Sequence, residues 1–192
     1  MRTATIMRKT KETDFTVSID LDGTKNCSCK TGISFFNHML TLFAFHAGFD
    51  LAIVGNNDLE IDAHHTVEDV GLTLGQAFRK ALGDELEINR FGESIVPMDE
   101  SLSHVVIDIS GRPYLIFQAE FKQPVVGDME TELIREFFKA FVQESKITLH
   151  IINLYGENTH HISESIYKSF GRAIAQAVHK TAGGTPSTKG VL

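Results

Sequence analysis

Two short blocks, His64-His65-Thr66-Val67-Glu68 and His160-His161-Ile162-Ser163-Glu164, hold the side chains best suited to chemistry. On a helix, neighbouring residues point about 100 degrees apart, so the two histidines of a block cannot serve one small ion, whereas residues four apart share a face. Each block therefore offers a His and a Glu in one direction and a second His in another. One such block is explained as well by surface or capping histidines. Two with identical spacing, 96 positions apart, point to metal ligation. The spacing assigns His64, Glu68 and His161 to one ion, and His160, Glu164 and His65 to a second, with His38 and His150 as candidates to complete the sets. Imidazole and carboxylate without thiolate suit manganese, iron, zinc, cobalt or nickel. Three His and one Glu leave open positions on a six-coordinate ion, which favours a catalytic over a structural metal.

The blocks open two segments of helical period, residues 64 to 82 and 160 to 178, with six identities in nineteen aligned positions where chance gives about one. Upstream, TATIMRKT with FTVSIDLDG and SHVVIDISG with PYLIFQAEF alternate as strand pairs. Helical periodicity follows from Ile33 to Ala47 and from Glu132 to Val142, then a short apolar strand, DLAIVG or ITLHIINLYG. Both halves read strand, strand, helix, strand, helix. This predicts an α+β fold in which each half is a sheet packed on helices, the halves being related by an approximate two-fold axis. The segment RFGESIVPMDES reads as the loop between them, with residues 1–92 as the first half and 93–192 as the second, sharing one core as a single structural unit. Met39 and the phenylalanines read as core.

A chain of 192 residues can bury roughly 70% of its unfolded surface, and 42% hydrophobic with 22% charged residues is an ordinary globular composition. The net charge of -7 argues against nucleic acid as a partner. No apolar run approaches a membrane span, and the N-terminus carries no secretory pattern, so a cytoplasmic protein is expected. Cys27 and Cys29, one residue apart, are too few for a disulfide framework or a zinc site and read as free thiols. HExxH, GxGxxG, Walker and nucleophile-elbow motifs are absent, and a lone Glu157-x-x-His160 does not make a di-iron bundle.

The ordered motifs RKTKET (8–13), GISFFNHM (32–39), DAHHTVEDVGLTLGQA (62–77), NRFG (89–92), PMDESLS (97–103), DISGRP (108–113), GENTHHISESIYKSF (156–170) and PSTKGVL (186–192) resemble those of the imidazoleglycerol-phosphate dehydratase family across the whole chain. A mild departure is Tyr167, where the family usually shows Phe. The resemblance implies a hydro-lyase of histidine biosynthesis that converts imidazole glycerol phosphate to imidazole acetol phosphate. It further implies a duplicated half with a four-stranded sheet and paired helices, two Mn2+ per active site, and a homo-oligomer of 24 subunits with active sites between subunits. His38, His64, His65, Glu68, His150, His160, His161 and Glu164 are then the metal ligands.

On that resemblance, Glu12 and His46 lie at the substrate, with Glu12 as acid/base. Arg90, Arg112 and the tail residues Ser187, Thr188 and Lys189 bind the phosphate, while His38, His64, His65, Glu68, His160 and Glu164 also face the substrate. The reaction removes an unactivated carbon-bound hydrogen and expels hydroxide. Metals on both ring nitrogens would favour an imidazolate able to expel the hydroxyl through a diazafulvene-like intermediate. Without the resemblance, Glu12 reads as a solvated charge and the arginines as turn residues; His104 and His179 receive no role. A binuclear metallohydrolase and a metal-storage protein are the rival readings.

Overall fold

Alternating apolar and polar residues build two sheets, and helices of 3.6-residue period cover one face of each. The computed structural model describes residues 1–83, 87–182 and 186–187. The first half runs β1 (Thr3–Lys9), β2 (Asp14–Asp20), β3 (Cys27–Lys30), α1 (Ser34–Ala47), β4 (Asp50–Asn56) and α2 (His64–Leu82). The second runs β5 (Phe91–Met98), β6 (Ser101–Asp108), β7 (Tyr114–Gln118), a small hairpin of β8 (Val125–Val126) and β9 (Met129–Glu130), α3 (Glu132–Ser145), β10 (Thr148–Tyr155) and α4 (Thr159–Ala177). Strand order is β1-β2-β4-β3 in one sheet and β5-β6-β10-β7 in the other. In each, three strands are antiparallel and the last is parallel to its neighbour. The expected α+β architecture of two four-stranded sheets is present.

Three details differ from the sequence reading. Residues 91–98, expected as a loop, form edge strand β5; its Gly, Ser and Pro content weakens the strand signal, yet Pro97 is tolerated because the strand is outermost. A Cβ on Gly92 would collide with the carbonyl oxygen of Ala173, so only glycine lets β5 lie against α4. The segment PYLIFQAEF does not pair with β6: β7 lies parallel on the far side of β10. Strand β3, only four residues long, completes the first sheet.

The helices cross between halves. α2 packs on α3 and α1 on α4, the exchange expected of a two-fold relation. Small residues shared by the repeat make this possible: a Cβ on Gly75 would approach Phe141 O to 2.6 Å, and one on Gly171 would approach Phe43 O to 2.6 Å. Phe170 sits centrally, stacked on Phe43 at 4.8 Å and edge-on to Phe138 at 5.2 Å and Phe141 at 5.4 Å. Met39 and these rings are fully buried, and truncating Phe170 to Ala would cost about 3–5 kcal/mol.

Candidate active site

The first turn of α4 is fixed by Asn158, whose side chain accepts from the backbone N–H groups of His160 (2.9 Å) and His161 (3.4 Å). The start of α1 is held by Asp128 of the other half, whose carboxylate accepts from Ser34 N (2.7 Å) and Phe35 N (2.8 Å). These two helix starts bring His38 of α1 to His160 and Glu164 of α4. Both His38 Nε2 and His160 Nε2 lie 3.0 Å from Glu164 Oε1, and the three side chains offer ligand atoms all within 4.8 Å of one another. Phe35 packs edge-on against the His160 ring at 5.3 Å. The other carboxylate oxygen, Glu164 Oε2, is gripped by Lys168 Nζ at 2.5 Å. Burial alone would raise the Glu164 carboxyl, but hydrogen bonds from Lys168, His38 and His160 outweigh it and hold the group at about 2. The result is an ionised carboxylate flanked by two imidazoles, a donor set that fits a divalent cation.

The repeat places a related group between α2 and α3. Asp62, which occupies the position of Asn158, accepts from His64 N at 2.7 Å. His64 borders a cavity of about 450 Å³ that Glu132, Leu133, Arg135 and Glu136 of α3 also line. Glu136 is the fifth residue of α3 as His38 is the fifth of α1, so it stands where a second His38 would. Leu72 takes the place of Lys168, four residues beyond Glu68.

His65 and His161 point elsewhere. His65 Nδ1 lies 2.7 Å from Asp58 Oδ2 and 3.8 Å from Glu12 Oε2, and its hydrogen bond with Asp58 raises its pKa. His161 Nδ1 lies 2.7 Å from Glu100 Oε2, which raises its pKa likewise. The Glu100 carboxyl is pulled down to about 2 by the backbone N–H of Asn158 and by His161. A carboxylate that accepts a hydrogen bond from Nδ1–H keeps the proton on that nitrogen and leaves the Nε2 lone pair free, the usual outer-shell arrangement of a metal-binding histidine. Asp58 Oδ1 is buried without a hydrogen-bond partner among the described residues. Neither ring joins the His38 cluster in this chain.

The remaining positions are dispersed. His150 lies on β10 between buried Leu149 and Ile151, so its side chain is on the sheet face opposite the helices. His46 packs beside Gly171 of α4; burial and the cations Lys168, Arg172 and Lys25 lower its pKa. His104 Nε2 meets Glu93 Oε1 at 2.7 Å on the outer face of the second sheet. Arg90 donates from Nε to Asp108 Oδ1 (2.6 Å), from Nη2 to Asp108 Oδ2 (3.2 Å) and from Nη1 to Pro186 O (3.0 Å). Arg112 Nη2 is 3.8 Å from Asp108 Oδ2. Both arginines thus converge on Asp108 beside the tail that leads to Ser187; Thr188 and Lys189 lie outside the described residues.

Position along α4 separates the two groups of residues. Arg90 N donates to Ala177 O at the end of the helix, whereas His160 is in its first turn. Seventeen residues of helix rise about 25 Å, more than a phosphorylated three-carbon chain on one five-membered ring can span.

The sequence profile of imidazoleglycerol-phosphate dehydratase matches residues 31–174. The chain belongs to the imidazoleglycerol-phosphate dehydratase family. The dehydratase of Rhodopseudomonas palustris strain TIE-1 is 54% identical over 195 residues, covering 100% of this chain and 99% of the relative. That of Acetivibrio thermocellus is 55% identical over 189 residues, covering 97% of each. Crystal structures of the dehydratases from Staphylococcus aureus N315 (41% identity, 93% of this chain and 99% of that one) and Pyrococcus furiosus in complex with (S)-C348 (39%, 97% and 100%) both superpose with a TM-score of 0.85. This chain is therefore a hydro-lyase of histidine biosynthesis. The dehydratase profile spans the His38 cluster and both HHxxE blocks; Glu12 and the tail lie outside it but within the full-length alignments.

Sequence reasoning missed Glu136, Lys168, Asp58, Glu100 and Asp108. Glu136 could have been found from the 98-residue offset between α1 and α3, and Lys168 from its i,i+4 spacing to Glu164.

Proposed function

We propose that the chain dehydrates imidazole glycerol phosphate to imidazole acetol phosphate with two divalent ions, manganese in our reading, per active site. The observation that carries this is the convergence of His38 and His160 on the ionised carboxylate of Glu164. His38, His160 and Glu164 would hold one ion; His64 and Glu68, with Glu136 in the place expected for His150, would hold the other. His65 and His161, each presenting Nε2, would complete the two sets. Ions held by these residues would supply Lewis acidity to the substrate's ring, making the side-chain hydroxyl a better leaving group.

The chain's own groups handle protons and phosphate. Glu12, an exposed carboxylate beside His65, would exchange a proton with the side-chain carbon. His46, neutral near pH 7 because burial and cations lower its pKa, can accept a proton. Arg90 and Arg112, oriented by Asp108, would hold the phosphate with Ser187, Thr188 and Lys189.

The separation of about 25 Å along α4 supports an active site assembled from more than one copy of the chain. So does the outer face of the second sheet, which exposes Phe91, Ile95, Val106, Tyr114 and Leu154. In this reading residues 1–92 and 93–192 act as one unit, in the cytoplasm, within a homo-oligomer of 24 copies. No helix among the described residues is long and apolar enough to cross a membrane. The test is a coupled assay on manganese-loaded protein: an imidazole ketone should form with phosphate still attached, and phosphate release without ketone overturns the reading.

A further inference from the structure

The two cysteines stand apart from the residues assigned to the reaction. Cys27 and Cys29 occupy alternate positions of β3, so both side chains fall on one strand face, packed half-buried against the core. Their Sγ atoms are 3.5 Å apart, and Cys27 Sγ lies 3.6 Å from Thr41 Oγ1 on α1. The hydrogen bond with Cys29 brings the Cys27 thiol down to about 7, against the opposing effect of burial and with help from Thr41. The Cys29 thiol is pushed up by the same hydrogen bond. One thiolate and one thiol therefore share the pair near neutral pH. β3 is the outermost strand of its sheet, with one edge unpaired among the described residues.

Alternate strand residues have Cα atoms about 6.6–6.8 Å apart, at the far limit of what a disulfide spans. A single bridging atom suits the pair better. Two bonds of about 2.3 Å, the length of a zinc–thiolate bond, closing on sulfurs 3.5 Å apart subtend about 100 degrees, an unstrained angle at a pyramidal or tetrahedral centre.

We propose that Cys27 and Cys29 form a dithiol clamp for trivalent arsenicals. With an organoarsenic oxide, two As–S bonds form, and the arsenic-bound oxygen leaves as water, taking one proton from the remaining thiol and one from solvent. Arsenic stays trivalent, so no oxidant or reductant is required. The chain has only two cysteines, so the stoichiometry identifies the site.

The experiment treats reduced, folded, full-length protein with phenylarsine oxide and follows intact mass and free thiols. The expected result is one arsenical per chain and both thiols lost. The adduct should resist excess mercaptoethanol and be reversed by dimercaptopropanol. C27S and C29S should each release the arsenical to mercaptoethanol at least tenfold more readily than the parent chain. Thiols that react only after unfolding, one arsenical shared between two chains, or a parent adduct stripped as easily as those of the single variants would each overturn the proposal.

Discussion

Between α1 and α4 the carboxylate of Glu164 is buried and gripped by Lys168, whereas at the matching place between α3 and α2 Glu68 is half-exposed and Leu72 stands where the cation would be. His38 in the first cleft corresponds to Glu136 in the second, and His46, facing Lys168 and Arg172, corresponds to Glu144, which accepts from Gln76 at 3.0 Å. Duplication kept a His and a Glu four residues apart in both helices and let the surrounding charge diverge. One cleft holds its carboxylate ionised and oriented by its own cation. The other adds a second acidic residue. Under the proposed two-ion scheme, unequal affinity for the two ions follows, with the α1/α4 cleft the more preorganised.

The comparison can be broken first at the carboxylates. Glu164→Gln and Glu68→Gln should each lower turnover at limiting manganese by at least about 100-fold, at or beyond the upper end of outer-shell effects. Steady-state rates with metal content measured on the same samples check this, and full activity in both variants contradicts a shared ligand scheme. Next, Lys168→Met should weaken one class of manganese by about 10–100-fold while leaving the second class unchanged, read by equilibrium metal titration. Equal weakening of both classes would mean that the clefts are not energetically distinct.

Acid unfolding sharpens the same contrast. The carboxyl of Glu164 lies at about 2 when folded and 4.5 ordinarily, so its contribution to stability is complete above 4.5 and is lost as pH falls toward 2. The urea midpoint of metal-free protein should therefore fall more steeply over that window in the parent chain than in Glu164→Gln. The smallest expected effect is at Tyr167, whose hydroxyl is buried without a partner among the described residues while Gly71 fills the equivalent position. Tyr167→Phe should raise stability by about 1–3 kcal/mol, seen as a higher thermal midpoint; a lower one would mean the hydroxyl is satisfied.

Much of this arrangement was legible because it is periodic. The helices over 64–82 and 159–177, the two HHxxE blocks and the phenylalanine core all declare themselves through 3.6-residue spacing and repetition. Glu136 was hidden because the repeat changed chemistry there, from imidazole to carboxylate, while keeping its place. Asp58 and Glu100 were hidden for another reason: Glu100 meets His161 across 61 residues of sequence, and Asp58 reaches His65 from a loop without periodicity. β5 escaped notice because the glycine it needs against α4 and the proline its edge allows both read as turn residues.

The crossing of helices between the halves bears on origins. A half-length polypeptide ending after α2 would present glycine-notched helix faces to water, and its α1 would lack the capping carboxylate of Asp128. Two such polypeptides could bury those faces against each other through an isologous contact. The present chain has the form of such a dimer joined near Arg90.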